Sequence, residues 1–253
     1  MTAEDHRRLA ELAGATPPRD IPEVLDRLEA IEKYATATSR RGAEDGIASF
    51  TTLYRTITST IDDLDVRQEF HAPQHFLARL DVAFAQRYFA ALRCWAESPD
   101  DTPQCWRVLF AHREDPDIPK VNFAAAGVNA HINFDLSAAL LRTWEELDPY
   151  GDHRALQRRD YDVINEVFAT EMDGLRERMH SFLSRGHDGA VWDRGANWAG
   201  DAVVRWTRHL AWDEASEVWD DGNRATAVAR SDERRGGFAG TLGAIILKLP
   251  LPV

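Results

Sequence analysis

The chain has 253 residues, of which 44% are hydrophobic and 28% are charged, and its 42 acidic and 30 basic side chains give a formal net charge of −12. A chain of this length can bury a substantial hydrophobic core without disulfide bonds or structural metal sites. The acidic balance, without a basic stripe, argues against nucleic acid or an anionic membrane as a partner, because binding phosphates needs clustered Lys and Arg. The 2 cysteines exclude a disulfide framework.

The N-terminus is polar and lacks the apolar stretch of a secretory signal, so we expect a cytoplasmic protein. The longest apolar run, residues 242–247, is far too short to cross a membrane. No internal repeat and no phosphate-binding or dinucleotide glycine motif is visible, which predicts one domain over residues 1–253 and no nucleotide cofactor. The apolar tail, residues 242–253, can dock on the domain or on a second copy, so a homodimer is one alternative.

Apolar residues recur at helical spacing along almost the whole chain, and no run shows the period of two that is typical of a strand. We therefore predict an all-α fold, a single multi-helix domain of orthogonal or bundle-like architecture. The helices of residues 1–65 are expected to be the more peripheral ones. In chain order, helices are predicted after Thr2 and from Ile21, over about 48–62 and 72–97, around Trp106 and Phe110, over about 121–147, 160–184 and 197–219, and in a last apolar segment after 234–237.

The helix predicted over 121–147 carries no formal charge in its first half, so we expect it to be central and buried. At 100° per residue, its small residues share a face with His131 and Asp135. These two residues are spaced i, i+4, which places their Cβ atoms about 5–6 Å apart, so both side chains can contact the same ligand. The opposite face carries asparagines, namely Asn122, Asn129 and Asn133.

Two other predicted helices carry carboxylates on apolar faces. Asp81 lies within the apolar stripe of helix 72–97, and Glu171 lies within that of helix 160–184. A carboxylate in a core is costly unless it is paired, bound to a metal or protonated. Asp160 shares the face of Glu171, but its position at the predicted helix start favours an N-cap.

The helix predicted over 197–219 places bulky aromatic residues on one broad face. Aromatics at helical spacing pack into a core more often than they line a ligand cavity, and both interpretations stay open. A substrate pocket would be lined by Tyr88, Asn129, Asn165, Trp198, Trp206, His209 and Trp212.

The segment Ala126-Gly-Val-Asn-Ala-His-Ile-Asn-Phe-Asp-Leu resembles the signature Gly-x-Asn-Ala-His-Ile-Asn-x-Asp-Leu of an uncharacterised, mainly actinobacterial all-α domain family. Flanking blocks between residues 76 and 219 resemble the rest of the family pattern. The resemblance implies no chemistry. It singles out Asp81, His131, Asp135, Asp160 and Asn165 as positions of interest.

Two shorter likenesses concern metal chemistry. His131 and Asp135 form a His-x-x-x-Asp element that is similar to a metal-binding element of all-α, zinc-dependent phospholipases C and related nucleases. Those enzymes use several more His ligands, which cannot be placed in this sequence. The acidic segment 62–65 resembles the Asp-rich motif of helical terpene synthases, but the second metal motif of those enzymes is missing.

The first functional hypothesis is a metal-dependent, hydrolase-like enzyme that acts on a small, partly apolar metabolite between packed helices. One His with several carboxylates suits a divalent Mn, Fe or Mg ion, and Zn if a water completes the site. The candidate ligands are Asp81, His131 and Asp135, together with Glu171 or Asp160 and, in reserve, His209.

Two alternatives need no metal. In one, His131 and Asp81 or Asp135 act as general acid and base on an apolar metabolite, in isomerisation or cyclisation, which requires a cavity beside His131 and Asp81. In the other, the buried polar groups only hold the helices together. Asp81 then pairs with His131, and Asp135 pairs with Arg142 or Arg178.

Overall fold

The computed structural model describes residues 2–67, 69–147, 153–167 and 193–249, with the backbone alone for residue 3 and for 193–204. The described ranges contain helices and no strand, which confirms the all-α prediction. The helices are α1 (Ala3–Ala13), α2 (Ile21–Thr38), α3 (Gly46–Val66), α4 (Phe76–Glu97), α5 (Gln104–His112), α6 (Lys120–Ala130), α7 (Leu136–Leu147), α8 (153–167), α9 (Asp193–Asp220) and α10 (Arg224–Ile246). Their buried apolar faces form one core, so the described helices make a single domain.

Short polar side chains set where the N-terminal helices begin. Thr2 caps α1 together with Asp5, and Asp20 caps α2 just before a proline in its first turn. Asp45 accepts the backbone N–H groups of Ile47 and Ala48 at the start of α3. Such caps satisfy backbone donors that have no partner within the helix.

The central helix forms as predicted, with one irregularity. Helix α6 passes into a π-helical turn, His131–Asp135, and then into α7, and the residues of the turn are all buried. A π-helical turn inside an α-helix is rare and is frequently found at functional sites. Here the turn contains both His131 and Asp135.

Gly127 lets α3 lie close to α6. A Cβ atom at this position would lie 2.2 Å from Cδ2 of Phe50, so no larger residue fits without a shift. The ring of Phe50 can therefore pack directly on the backbone of α6.

The asparagine face of the central helix holds α10. Asn129 donates from Nδ2 to the carbonyl of Ala239 at 2.8 Å, and Asn122 donates to the carbonyls of Ile246 and Leu249. These asparagines therefore tie two helices together, as one of the metal-free alternatives expects.

Two predicted helix boundaries are wrong. Helix α8 is already formed at residue 153, because Gln157 in its early turns is buried and accepts the indole N–H of Trp144 at 3.1 Å. Helix α10 runs through the Gly236–Gly237 pair, where a break was expected. It continues because Arg235 is buried, where it pairs with Glu214 and donates to the carbonyl of Asn133.

Helix α3 is central, although it belongs to the N-terminal segment expected to be peripheral. Residues along most of its length are buried, among them Phe50, Tyr54 and Thr58. Across the described ranges, no helix has the length and apolar character needed to span a membrane.

Candidate acid–base site

A cavity of about 40 Å³ lies between α3, α4 and the central helix, beside Asp81 and His131. This volume has room for two or three water molecules or a small organic group. Among the described lining residues the wall is almost entirely apolar, and the residues with polar groups are Tyr54, Asp81, His131 and Arg208. The apolar lining residues are Phe50, Leu53, Ile57, Ile61, Leu77, Leu80, Phe84, Val128, Ile132, Leu136 and Ile164.

Asp135 orients His131 within the π-helical turn. Nδ1 of His131 lies 3.2 Å from Oδ2 of Asp135, and both side chains are buried. Asp135 also accepts the indole N–H of Trp106 at 3.0 Å and Nε of Arg87 at 3.1 Å. This arrangement assigns the imidazole proton to Nδ1, which leaves the lone pair of Nε2 available.

The surroundings of His131 keep its ring neutral. The imidazole stacks on Phe84 with ring centroids 3.3 Å apart and meets the edge of Tyr54 at 4.5 Å. Burial lowers the pKa of His131 and outweighs the opposing effect of Asp135. Nε2 is buried without a hydrogen-bond partner within the described part of the chain.

Asp81 is the second ionisable group at the cavity. Its side chain is buried, Oδ1 accepts the Thr58 hydroxyl at 3.3 Å, and Oδ2 has no partner among the described residues. Burial raises the pKa of Asp81 to about 7, against the opposing effect of Thr58. Near neutral pH this carboxyl group is therefore protonated in a large fraction of molecules.

Arg208, on α9, completes the ionisable lining. It is 3% exposed, donates from Nε to Oδ1 of Asn165 at 2.9 Å and from Nη2 to the carbonyl of Tyr161 at 3.1 Å. Its guanidinium lies 4.3 Å from the ring centroid of Tyr161. Burial lowers the pKa of Arg208. The sequence alone gives no signal for this residue, because its place depends on how α8 and α9 pack.

The buried pairs differ from those of the structural hypothesis. His131 pairs with Asp135, not with Asp81. The cation on Asp135 is Arg87, whereas Arg142 is exposed and lies 3.1 Å from Glu146. Arg178 lies outside the described residues.

Two of the predicted pocket residues serve other contacts. The hydroxyl of Tyr88 lies 2.7 Å from that of Thr51, and Asn129 faces α10. Asn165 reaches the cavity only through its bond to Arg208.

Asp160 lies away from the cavity. It is buried in the middle of α8, and its Oδ2 accepts the backbone N–H groups of His71 and Ala72 at 2.7 and 2.5 Å. It therefore holds the connection between α3 and α4, and the N-cap prediction is wrong. Glu171 lies outside the described residues, as does the side chain of Trp198.

The other predicted aromatic lining residues on α9 do not line the cavity. Trp206 is 59% exposed, and Trp212 packs against Trp144 at 5.1 Å between ring centroids. Nδ1 of His209 lies 4.0 Å from Oδ1 of Asp162, and both side chains are partly exposed. The aromatic residues around the cavity come from α3 and α4 instead.

The predicted metal ligands are divided between these places. Asp81 and His131 line the cavity, and Asp135 has a hydrogen-bond partner on each carboxylate oxygen. Asp160 accepts backbone N–H groups of the segment between α3 and α4. In the ranges that the structure describes, no group of three or more His, Cys, Asp and Glu side chains is arranged to hold a metal ion.

Comparison with known proteins places this site within a family. No curated protein and no solved structure matches the chain. One family model matches residues 21–249, which include every residue described here at the cavity. The chain therefore belongs to this family of unknown function, DUF5995.

Proposed function

We propose that this protein is a metal-free acid–base enzyme that moves a proton on a small, mainly apolar molecule, as an isomerase does. One observation carries the proposal: Oδ2 of Asp81 and Nε2 of His131 are buried without partners among the described residues, and both side chains line the same apolar cavity. Each buried polar atom without a partner costs about 1–3 kcal/mol, so two of them on side chains that line one cavity indicate that a molecule in the cavity bonds to both.

The chemistry follows from the two protonation states. Neutral His131 takes a proton from carbon with Nε2, while protonated Asp81 donates its proton to the neighbouring carbonyl oxygen, which gives an enol. The enol then loses its hydroxyl proton to Asp81 and regains a carbon-bound proton from His131. When the substrate carries a carbon–carbon double bond next to the position that loses the proton, the intermediate is a dienol, and delivery of this second proton to its far carbon gives an isomer in which the double bond has moved.

Asp135 acts as a positioning residue in this scheme. It touches Nδ1 of His131 and does not line the cavity. Its bonds to Arg87 and Trp106 hold the carboxylate in place, so it fixes the imidazole tautomer and balances the positive charge that His131 acquires when it takes a proton.

The metal-dependent alternative has weaker support. Its ligand set is not gathered within the described ranges, and its remaining candidate, Glu171, lies outside them. A purely structural role accounts for Asn122 and Asn129, whose amide groups bond to α10, but it leaves the open atoms of Asp81 and His131 unexplained.

Proton transfer to a small ketone tests the proposal. The protein is incubated with acetone or butan-2-one in D₂O, and deuterium incorporation next to the carbonyl is followed by NMR. General acid–base catalysis contributes about 10²–10⁴-fold, so we expect exchange at least tenfold above that in protein-free buffer. Exchange at the buffer rate with both ketones would contradict the proposal.

Three variants assign the activity to the site. His131→Gln and Asp81→Asn should reduce exchange to the buffer rate while each remains folded by circular dichroism. Tyr88→Phe is the matched control, because it removes a buried hydroxyl group that bonds to Thr51 and does not line the cavity. It should retain exchange within about twofold. Wild-type exchange rates in the His131→Gln protein would refute the role of His131.

A further inference from the structure

Arg208 is a buried cation without a carboxylate partner among the described residues. Its contacts are the neutral oxygens of Asn165 and Tyr161 and the face of the Tyr161 ring. The nearby carboxylate of Asp162, also on α8, forms its ion pair with Arg158 instead. Arginine stays charged in proteins, so Arg208 brings to the cavity wall a positive charge that, within the described part of the chain, the Asp162 carboxylate offsets only from a distance and without an ion pair.

A buried charge that has no ion-pair partner is expensive. Transfer of an ion from water into a protein costs several kcal/mol, and neutral hydrogen bonds and an aromatic face repay only part of it. Nε and Nη2 of Arg208 are already used to hold the guanidinium against α8, which fixes the group in place. The side chain is therefore a preorganised anion-binding group at a cavity whose other walls are almost all apolar.

We propose that the ligand of this cavity carries a carboxylate group that binds Arg208, with its carbon atoms against the apolar wall and a carbonyl group at Asp81 and His131. The substrate class is then a short-chain, mainly apolar oxo acid. This inference rests on the proposed function, because the carbonyl group is assigned from the acid–base pair.

The charge distribution of the cavity agrees with an anionic ligand. Asp81 and Arg208 both line it but do not form an ion pair with one another. Burial raises the pKa of Asp81 to about 7, so in the large fraction of molecules that hold this proton the carboxyl group does not repel an incoming carboxylate. A ligand carboxylate would thus meet one positive charge and no fixed negative charge among the described lining residues.

Binding of a matched pair of probes tests the inference without any catalytic readout. Propionate and propionamide have nearly the same size and shape and differ in charge. Isothermal titration calorimetry of the wild-type protein should give an affinity for propionate at least tenfold higher than for propionamide. Equal affinities, or binding of neither probe, would overturn the inference.

Variants locate the charge preference. Arg208→Gln should remove it, whereas Arg208→Lys, which keeps the charge, should retain part of it. Arg224→Gln is the matched control, because Arg224 also lies over an aromatic ring, that of Trp219, but does not line the cavity. It should bind propionate as the wild type does. An undiminished preference in the Arg208→Gln protein would overturn the inference, and if that variant does not fold, the wild-type comparison decides alone.

The two proposals fail separately. Ketone exchange that depends on His131, together with equal binding of propionate and propionamide, would leave the acid–base function standing and refute the carboxylate. A preference for propionate that depends on Arg208, without ketone exchange, would refute the enzyme and leave an anion-binding cavity.

Discussion

Replacement of Asp81 by asparagine should stabilise the protein at pH 8. The asparagine has nearly the same shape and keeps an acceptor for Thr58, but it has no ionised form. In the folded protein, burial raises the pKa of Asp81 from its ordinary value of 3.8 to about 7. The unfolded chain is therefore able to release this proton at a lower pH than the folded chain.

The sign and size of the effect follow from this difference. Below pH 3.8 both states hold the proton, and the contribution of Asp81 to stability is fully present. As the pH rises from 3.8 to about 7, only the unfolded state ionises, so this contribution is progressively lost. At about 1.36 kcal/mol per pH unit, the loss is about 1.5 kcal/mol at pH 5 and about 4 kcal/mol at pH 8. Relaxation of the folded protein around the charge makes these values upper bounds.

Urea unfolding followed by tryptophan fluorescence measures the effect at the two pH values. Asp81→Asn should gain about 2–3 kcal/mol of stability over the wild type between pH 5 and pH 8. Asp26→Asn, at an exposed position on α2, is the control and should show no such gain. An Asp81→Asn protein whose stability relative to the wild type is the same at both pH values would refute the buried, protonated carboxyl group.

Two further predictions concern packing and metal content. Gly127→Ala should lower the free energy of unfolding by about 1–3 kcal/mol in the same urea assay, because the added methyl group meets Phe50. Gly237→Ala, which has open space around it in α10, is the control and should raise the free energy of unfolding by up to about 1 kcal/mol. An unchanged stability of Gly127→Ala would show that α3 and α6 are not in close contact. Protein purified without chelator should contain no stoichiometric metal by elemental analysis. Near-stoichiometric metal that is lost in Asp135→Ala would restore the metal-dependent alternative.

Helical periodicity was enough to single out three residues that the structure places close to the cavity. The spacing of His131 and Asp135 on an uncharged helix, and the place of Asp81 within an apolar stripe, depend only on position along a helix. Those three residues do lie at or directly behind the cavity. Their partners come from other helices, so Arg87 and Trp106 were not predictable from local pattern.

The parts that were not predicted depend on tertiary contacts. Arg208 looks like an ordinary polar position on α9, and only the packing of α9 on α8 buries it. Arg235 beside two glycines looks like a break, yet burial against Glu214 keeps α10 helical there. In both cases an ion pair or a hydrogen bond to another helix outweighs the preference of the local sequence.

The pH dependence of ketone exchange tests the acid–base pair most directly. Exchange needs neutral His131, whose pKa burial lowers, and protonated Asp81, whose pKa burial raises to about 7. The account predicts that the exchange rate of the wild type follows a bell-shaped pH profile and falls as the pH rises through about 7. Asp81→Asn and His131→Gln should lose the activity and with it this fall in rate. Exchange that rises steadily with pH through 7 to 9, or that is unchanged in these two variants, would contradict it.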